Sequence, residues 1–94
     1  MLSSIPFNWE KLRELSDAEL ARIGLIAELD AINLYEQLAA LAKDPLVKKV
    51  FYDIAKEEKE HVGEFLELLK RHDGEIEEAL KEGAEEVVEM EKEK

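Results

Sequence analysis

Apolar residues recur along this chain with a helical period, and the recurrence breaks at points marked by cap and turn residues. At ~100° per residue, Leu20, Gly24, Ala27, Ala31, Tyr35 and Leu38 share one stripe, with Arg22, Asp30, Asn33 and Gln37 as a polar stripe nearly opposite. Val47, Phe51, Ile54, Phe65 and Leu69 share a second stripe, and Ile76, Ala79, Leu80, Val87 and Val88 a third. The first segment opens with Ser16 and Glu19 in the spacing of a capping box, flanked by Leu15 and Leu20 as its hydrophobic staple. Asp44-Pro45 ends that helix and starts the next, with Asp44 as N-cap and Pro45 in the first helical position. Asp73-Gly74 supplies the stop after the second helix.

The pattern predicts an all-α chain. A lead-in over 1–15, with a short turn near Asn8–Leu12, precedes long helices over 16–43 and 45–72. A shorter third helix over 75–92, weakened by Gly83, runs into a charged tail. So short a link at Asp44 makes the two long helices antiparallel neighbours. No internal repeat is evident.

Two carboxylates and a histidine interrupt these apolar stripes. Glu28 stands in line with Gly24 and Tyr35 inside an otherwise greasy stretch. On the second helix Glu58 falls in line with Phe51, Ile54 and Phe65, and His61 lies ~60° away on the same stripe. Glu60 points away, and Glu57 sits at the flank beside Lys56 and Lys59 as a surface residue. Most helix glutamates are solvated, and a lone histidine on an apolar face is more often packed than a ligand. An unpaired buried carboxylate is costly, however. The Glu-x-x-His spacing also turns both side chains toward one ion. Measured from Asp44, Glu28 is 16 residues away and Glu58 and His61 are 14 and 17 away. At ~1.5 Å per residue all three share one level of the hairpin.

Composition narrows the chemistry. Ninety-four residues make one small domain that buries little surface alone, so association is expected. The net charge of −11 disfavours nucleic acid and anionic membranes and favours cations. With no cysteine there is no disulfide, iron–sulfur cluster or Cys-bound zinc. No segment has the length and apolarity of a membrane span, and Met1–Pro6 lacks the basic start and apolar run of a signal peptide, so a cytoplasmic location is expected.

A paired divalent site needs about four carboxylates and two histidines, and one chain offers half of that. A twofold axis would supply Glu28, Glu58 and His61 twice and assemble four helices around two metals. Carboxylate-rich ligation with one imidazole per metal suits iron or manganese better than structural zinc. Tyr35, two turns beyond Glu28, is placed to hydrogen-bond a ligand carboxylate or donate an electron; packing at an interface explains it equally well. Ile23, Leu25, Ile26, Leu29, Ile32 and Leu41 extend the apolar surface beyond the metal face, pointing to an assembly larger than a dimer.

Over residues 20–80 the chain resembles the encapsulated ferritins, two-helix relatives of ferritin. The likeness rests on Glu28 with Tyr35, the Asp44-Pro45 hairpin, Glu57-Glu58-Lys59-Glu60-His61, and the Lys70-Arg71-His72-Asp73 ending. It implies a half-ferritin domain that dimerises into a ferritin-like four-helix bundle, with five dimers closing into a decameric ring. It further implies a ferroxidase that oxidises Fe(II) with O2 at a di-iron site between subunits. Glu28, Glu58 and His61 would be the iron ligands, and Tyr35 would stand beside them. The ring would sit in an encapsulin nanocompartment where iron is stored as mineral, in some relatives by direct fusion to the shell protein. The chain departs from the family at Ala27, where relatives can carry an acid that guides iron inward, leaving Asp30 as the candidate, and at Leu34, where relatives carry an aromatic. Two other functions compete: a metal-dependent assembly module without turnover, and a peroxidase or catalase of the same bundle class. Rubrerythrin-type peroxidases use a Cys-rich domain that is absent from this sequence.

Overall fold

The computed structural model describes residues 8–93. These residues form four helices: α1 (Trp9–Arg13), α2 (Asp17–Leu41), α3 (Pro45–His72) and α4 (Ile76–Lys92). Much of the expected lead-in lies outside the described residues. Within them Asn8 caps α1, its Oδ1 accepting from the Glu10 amide at 2.9 Å.

The hairpin of α2 and α3 is built from local signals. The Glu19 amide donates to Ser16 Oγ at 3.2 Å, and the Ser16 amide donates to Glu19 Oε1 at 3.2 Å, closing the capping box reciprocally. α2 ends at Leu41, two residues before the expected Lys43, with Ala42 already extended. Asp44 Oδ1 accepts from the amides of Leu46 (2.7 Å) and Val47 (3.4 Å), and Pro45 opens α3. Lys48 then reaches back from the first turn of α3. Its Nζ donates to the Ala39 carbonyl at 2.6 Å and the Ala40 carbonyl at 3.4 Å, satisfying groups left open at the C-terminus of α2. α3 stops differently from the glycine-based cap expected of Asp73-Gly74. No glycine has a positive φ among the described residues; Asp73 itself turns extended, and its Oδ1 accepts from the Glu75 amide at 3.0 Å.

The core is a narrow seam. Among the described residues Ala21, Ile32, Ala39, Ala55 and Leu69 are buried, and three of the five are alanines. Small side chains let the helices approach closely, but they remove little apolar area from water. Several larger residues stay outside: Leu41 is 77% exposed, Leu46 67% and Leu29 50%. Among the described residues α4 buries nothing, leaving Val87 and Met90 each 64% exposed, and packs only against α3. The described chain measures 49 × 46 × 21 Å. It is a flat object without the second layer that normally covers an apolar face.

Candidate metal centre

Glu28 comes from the middle of α2, and Glu58 and His61 from the facing stretch of α3. Because the helices are antiparallel and the link between them is short, equal distances from the turn become equal heights in the hairpin. The structure brings these three residues together, with one ligand atom from each lying within 4.8 Å of the others. His61 Nδ1 is 3.5 Å from Glu28 Oε1 and 3.4 Å from Glu58 Oε2. Adjacent turns of α3 account for the second contact, and the seam of small residues accounts for the first.

The electrostatics are unbalanced in a single chain. Glu28 and Glu58 side chains are only 18% and 19% exposed. Among the described residues no Lys or Arg pairs with either; the ion pairs formed elsewhere are Lys59–Glu36, Arg71–Glu67 and Lys92–Glu89. Glu28 Oε2 is buried and has no hydrogen-bond partner. A buried, unsatisfied carboxylate oxygen costs on the order of 1–3 kcal/mol, and a cation is the group that would relieve it. Two carboxylates and an imidazole form an oxygen-rich donor set that fits iron or manganese. His61 is the open side of the cluster, with its side chain 45% exposed.

Tyr35 is not joined to this cluster by a hydrogen bond within the described chain. Its ring stacks on Phe51 with centroids 6.2 Å apart and planes at 23°. That pair forms a layer ~10 Å nearer the turn than Glu28, two helical turns away. Glu57 and Glu60 are exposed. Asp30, on the polar stripe, is half-buried, and its Oδ2 has no partner among the described residues. Ile23, Ile26 and Leu34 are its register neighbours and put apolar side chains beside it on α2.

Sequence reasoning missed two features of the hairpin. One is the Lys48 cap, which only the folded hairpin brings to Ala39. The other is Gly24, one turn before Glu28. A methyl built on Gly24 would come within 2.6 Å of Phe65 Cζ and nearer still to Cε1. An isolated glycine inside a strongly apolar helix was the available signal.

The sequence and the fold are similar to those of known proteins. A family model described as EncFtn-like matches residues 8–84. A "Ferritin-like-encapsulin shell fusion protein" of Pyrococcus furiosus is 49% identical over 85 residues, covering 90% of this chain and 23% of the relative. The encapsulin nanocompartment cargo protein EncB of Myxococcus xanthus is 40% identical over 57 residues, covering 61% of this chain and 36% of the relative. The chain thus spans less than half the length of either. The crystal structure of the encapsulated ferritin domain from Pyrococcus furiosus superposes with a TM-score of 0.75 at 47% identity, covering 95% of this chain and 86% of that one. The helical hairpin, the family match over residues 8–84 and the likeness to that ferritin domain together establish that this chain belongs to the EncFtn-like family.

Proposed function

We infer that two copies of this chain meet across the open His61 side of the cluster and form a ferroxidase. The shared site would hold two Fe(II) ions as substrate, each between carboxylates of Glu28 and Glu58 with one His61. A pair of ferrous ions supplies the electron pair that reduces dioxygen to hydrogen peroxide, with protons drawn from water. A mononuclear site would have to pass through one-electron reduction. The protein's part is to hold the ions side by side, to present one His61 nitrogen to each, and to let carboxylates shift as charge builds on the irons. Tyr35, stacked on Phe51, is assigned to the turn-ward wall of the site, where it limits water and can hydrogen-bond a ligand carboxylate after assembly.

The observation that carries this reading is the orphaned, buried Glu28 Oε2 beside Glu58 and His61, with no Lys or Arg paired to either carboxylate among the described residues. The exposed apolar surfaces of α2, α3 and α4 support association of more than two copies, of which a ring of five dimers is the form the family likeness suggests. The described chain is only 21 Å thick in its short dimension, too thin to enclose a mineral, so the Fe(III) product must be passed on. The names of the relatives support an encapsulin shell as the container, reached as cargo or by fusion.

Anaerobic loading with Fe(II), followed by oxygen, tests the reading. Fe(III) should appear far faster than in buffer, and Glu58→Ala and His61→Ala should bring the rate down to the buffer value. Unchanged oxidation in both variants would overturn it. Full assembly with any divalent ion, and no acceleration of iron oxidation, would make the chain a structural module instead.

A further inference from the structure

Gly24 and Phe65 meet one layer beyond the carboxylate–histidine cluster. Gly24 precedes Glu28 by four residues on α2, and Phe65 follows His61 by four on α3. Each is therefore one turn from its ligand, on the same side of the helix, at the same height in the hairpin. Helical side chains lean toward the N-terminus of their own helix, so Phe65 leans toward His61 and Glu28 leans toward Gly24. The Phe65 ring occupies the space that any Cβ at position 24 would need, with Cζ and Cδ1 only 2.6 and 2.7 Å from it. On its far side the ring borders a groove of about 340 Å³ lined by Asp17, Leu20, Ala21, Leu68 and His72. The ring is thus the partition between the cluster and that groove.

We propose that Phe65, seated on Gly24, is a positioning residue that sets the spacing of Glu28 from Glu58 and His61 and walls the site from the adjoining groove. This rests on the reading of the cluster as a metal centre. Glycine is otherwise a poor choice in mid-helix, because it forfeits helix propensity. The other glycines show the contrast: a Cβ at Gly63, also inside a long helix and two residues from His61, meets nothing within 4 Å. A methyl at position 24 leaves two responses. The ring swings into the groove and opens the site to water, or α2 and α3 part and Glu28 withdraws from His61. Both loosen the cluster.

The test compares Gly24→Ala, Phe65→Leu, the double variant and Gly63→Ala in the full chain. Cobalt(II) serves as the probe, its affinity read by calorimetry and its coordination by visible absorption. Gly24→Ala should weaken cobalt binding about 10-fold or more, the range seen when supporting residues around ligands are disturbed, and should alter the absorption spectrum. Adding Phe65→Leu removes the ring atoms that clash and should restore affinity to within about threefold of the starting protein. Gly63→Ala should raise the melting temperature and leave binding unchanged.

Metal-free NMR separates failure of this inference from failure of the metal reading. Cross-peaks from the Phe65 ring to the Gly24 α-protons, and displaced His61 ring resonances in Gly24→Ala, are expected whether or not cobalt binds. If Gly24→Ala folds with cobalt affinity and His61 resonances unchanged, the inference is wrong. If Gly24→Ala does not fold, Phe65→Leu alone decides, since it should lower affinity and shift His61 without a backbone change. Binding and resonances untouched in Phe65→Leu would also overturn the inference. Absence of cobalt binding by the starting protein, with His61 still displaced in Gly24→Ala, would reject the metal reading and keep the positioning role.

Discussion

His61 Nδ1 lies 3.5 Å from Glu28 Oε1, although the two residues come from different helices on opposite arms of the hairpin. Glu58 Oε2 approaches the same nitrogen at 3.4 Å, so one imidazole edge faces two carboxylates. Close carboxylates repel each other, and among the described residues no Lys or Arg pairs with either and the second Glu28 oxygen is buried without a partner. The cluster is therefore a place where the fold gives up stability in the absence of a cation.

Neutralising one of these carboxylates should reveal that cost. Glu28→Gln keeps the size of the side chain, removes the like-charge repulsion and supplies an amide. The metal-free variant should be more stable than the starting protein by about 1 kcal/mol, measured by thermal or denaturant unfolding. Its response to added Fe(II) under anaerobic conditions should vanish. Lower metal-free stability would mean that Glu28 already has a satisfying partner.

Metal should stabilise the assembled protein by mass action. With free metal at about 100 times the dissociation constant, the gain is ~2.7 kcal/mol, and the melting temperature should also rise with protein concentration. His61→Ala should abolish the metal response. Equal shifts in the two proteins would place the cation elsewhere on this acidic chain.

The seam of small residues predicts sensitivity to added volume. Ala39 is fully buried and Ala55 is 2% exposed. Replacing either with Leu should destabilise the protein by about 1–3 kcal/mol through overpacking. Because the same seam sets the α2–α3 distance, the loss should be accompanied by weaker metal binding. Chemical denaturation and metal titration of the two variants check both effects.

Lys48 and Glu19 give separate tests at the two ends of α2. Lys48→Met keeps most of the aliphatic stem but removes the donor that the Ala39 carbonyl accepts at 2.6 Å. A cost of about 1 kcal/mol is expected, with faster amide exchange in the last turn of α2.

The Ser16 backbone and hydroxyl donors, with a smaller contribution from Arg22, hold the Glu19 carboxyl below its ordinary value of 4.5. Its folded pKa is depressed, so its contribution to stability is complete above the unfolded value. That contribution is lost as the pH falls through the folded one. Ser16→Ala should therefore lower the melting temperature most above pH 4.5, and the gap between the two proteins should narrow in acid. A constant gap would show that Ser16 and Glu19 are not coupled.

Much of this arrangement was legible in the sequence because the controlling signals are local or periodic. Ser16 with Glu19 and Asp44 with Pro45 fix helix starts through side-chain caps, and a link this short fixes antiparallel packing. Antiparallel packing turns residue counts from Asp44 into heights, so Glu28, Glu58 and His61 could be matched before any coordinates. What escaped depends on contacts across the fold. Lys48 is an ordinary helix lysine until the hairpin places the Ala39 carbonyl in front of it. Gly24 reads as a weak helix position until Phe65 is seen against it. Asp30 shows the limit of an angular projection. Lying opposite Glu28 places it on the polar stripe, yet Ile23, Ile26 and Leu34 put apolar side chains beside it and its Oδ2 is buried. Gly74 carried the expected composition of a C-terminal stop, but Asp73 performs that task through its own extended backbone and side-chain acceptor.

Native mass spectrometry with iron quantification tests the central claim most directly. Protein loaded anaerobically with Fe(II) should carry two irons for every pair of chains, and Glu58→Ala should lose both together. A single chain that retains two irons, or a Glu58→Ala assembly with its iron content intact, would contradict a site built jointly by two copies.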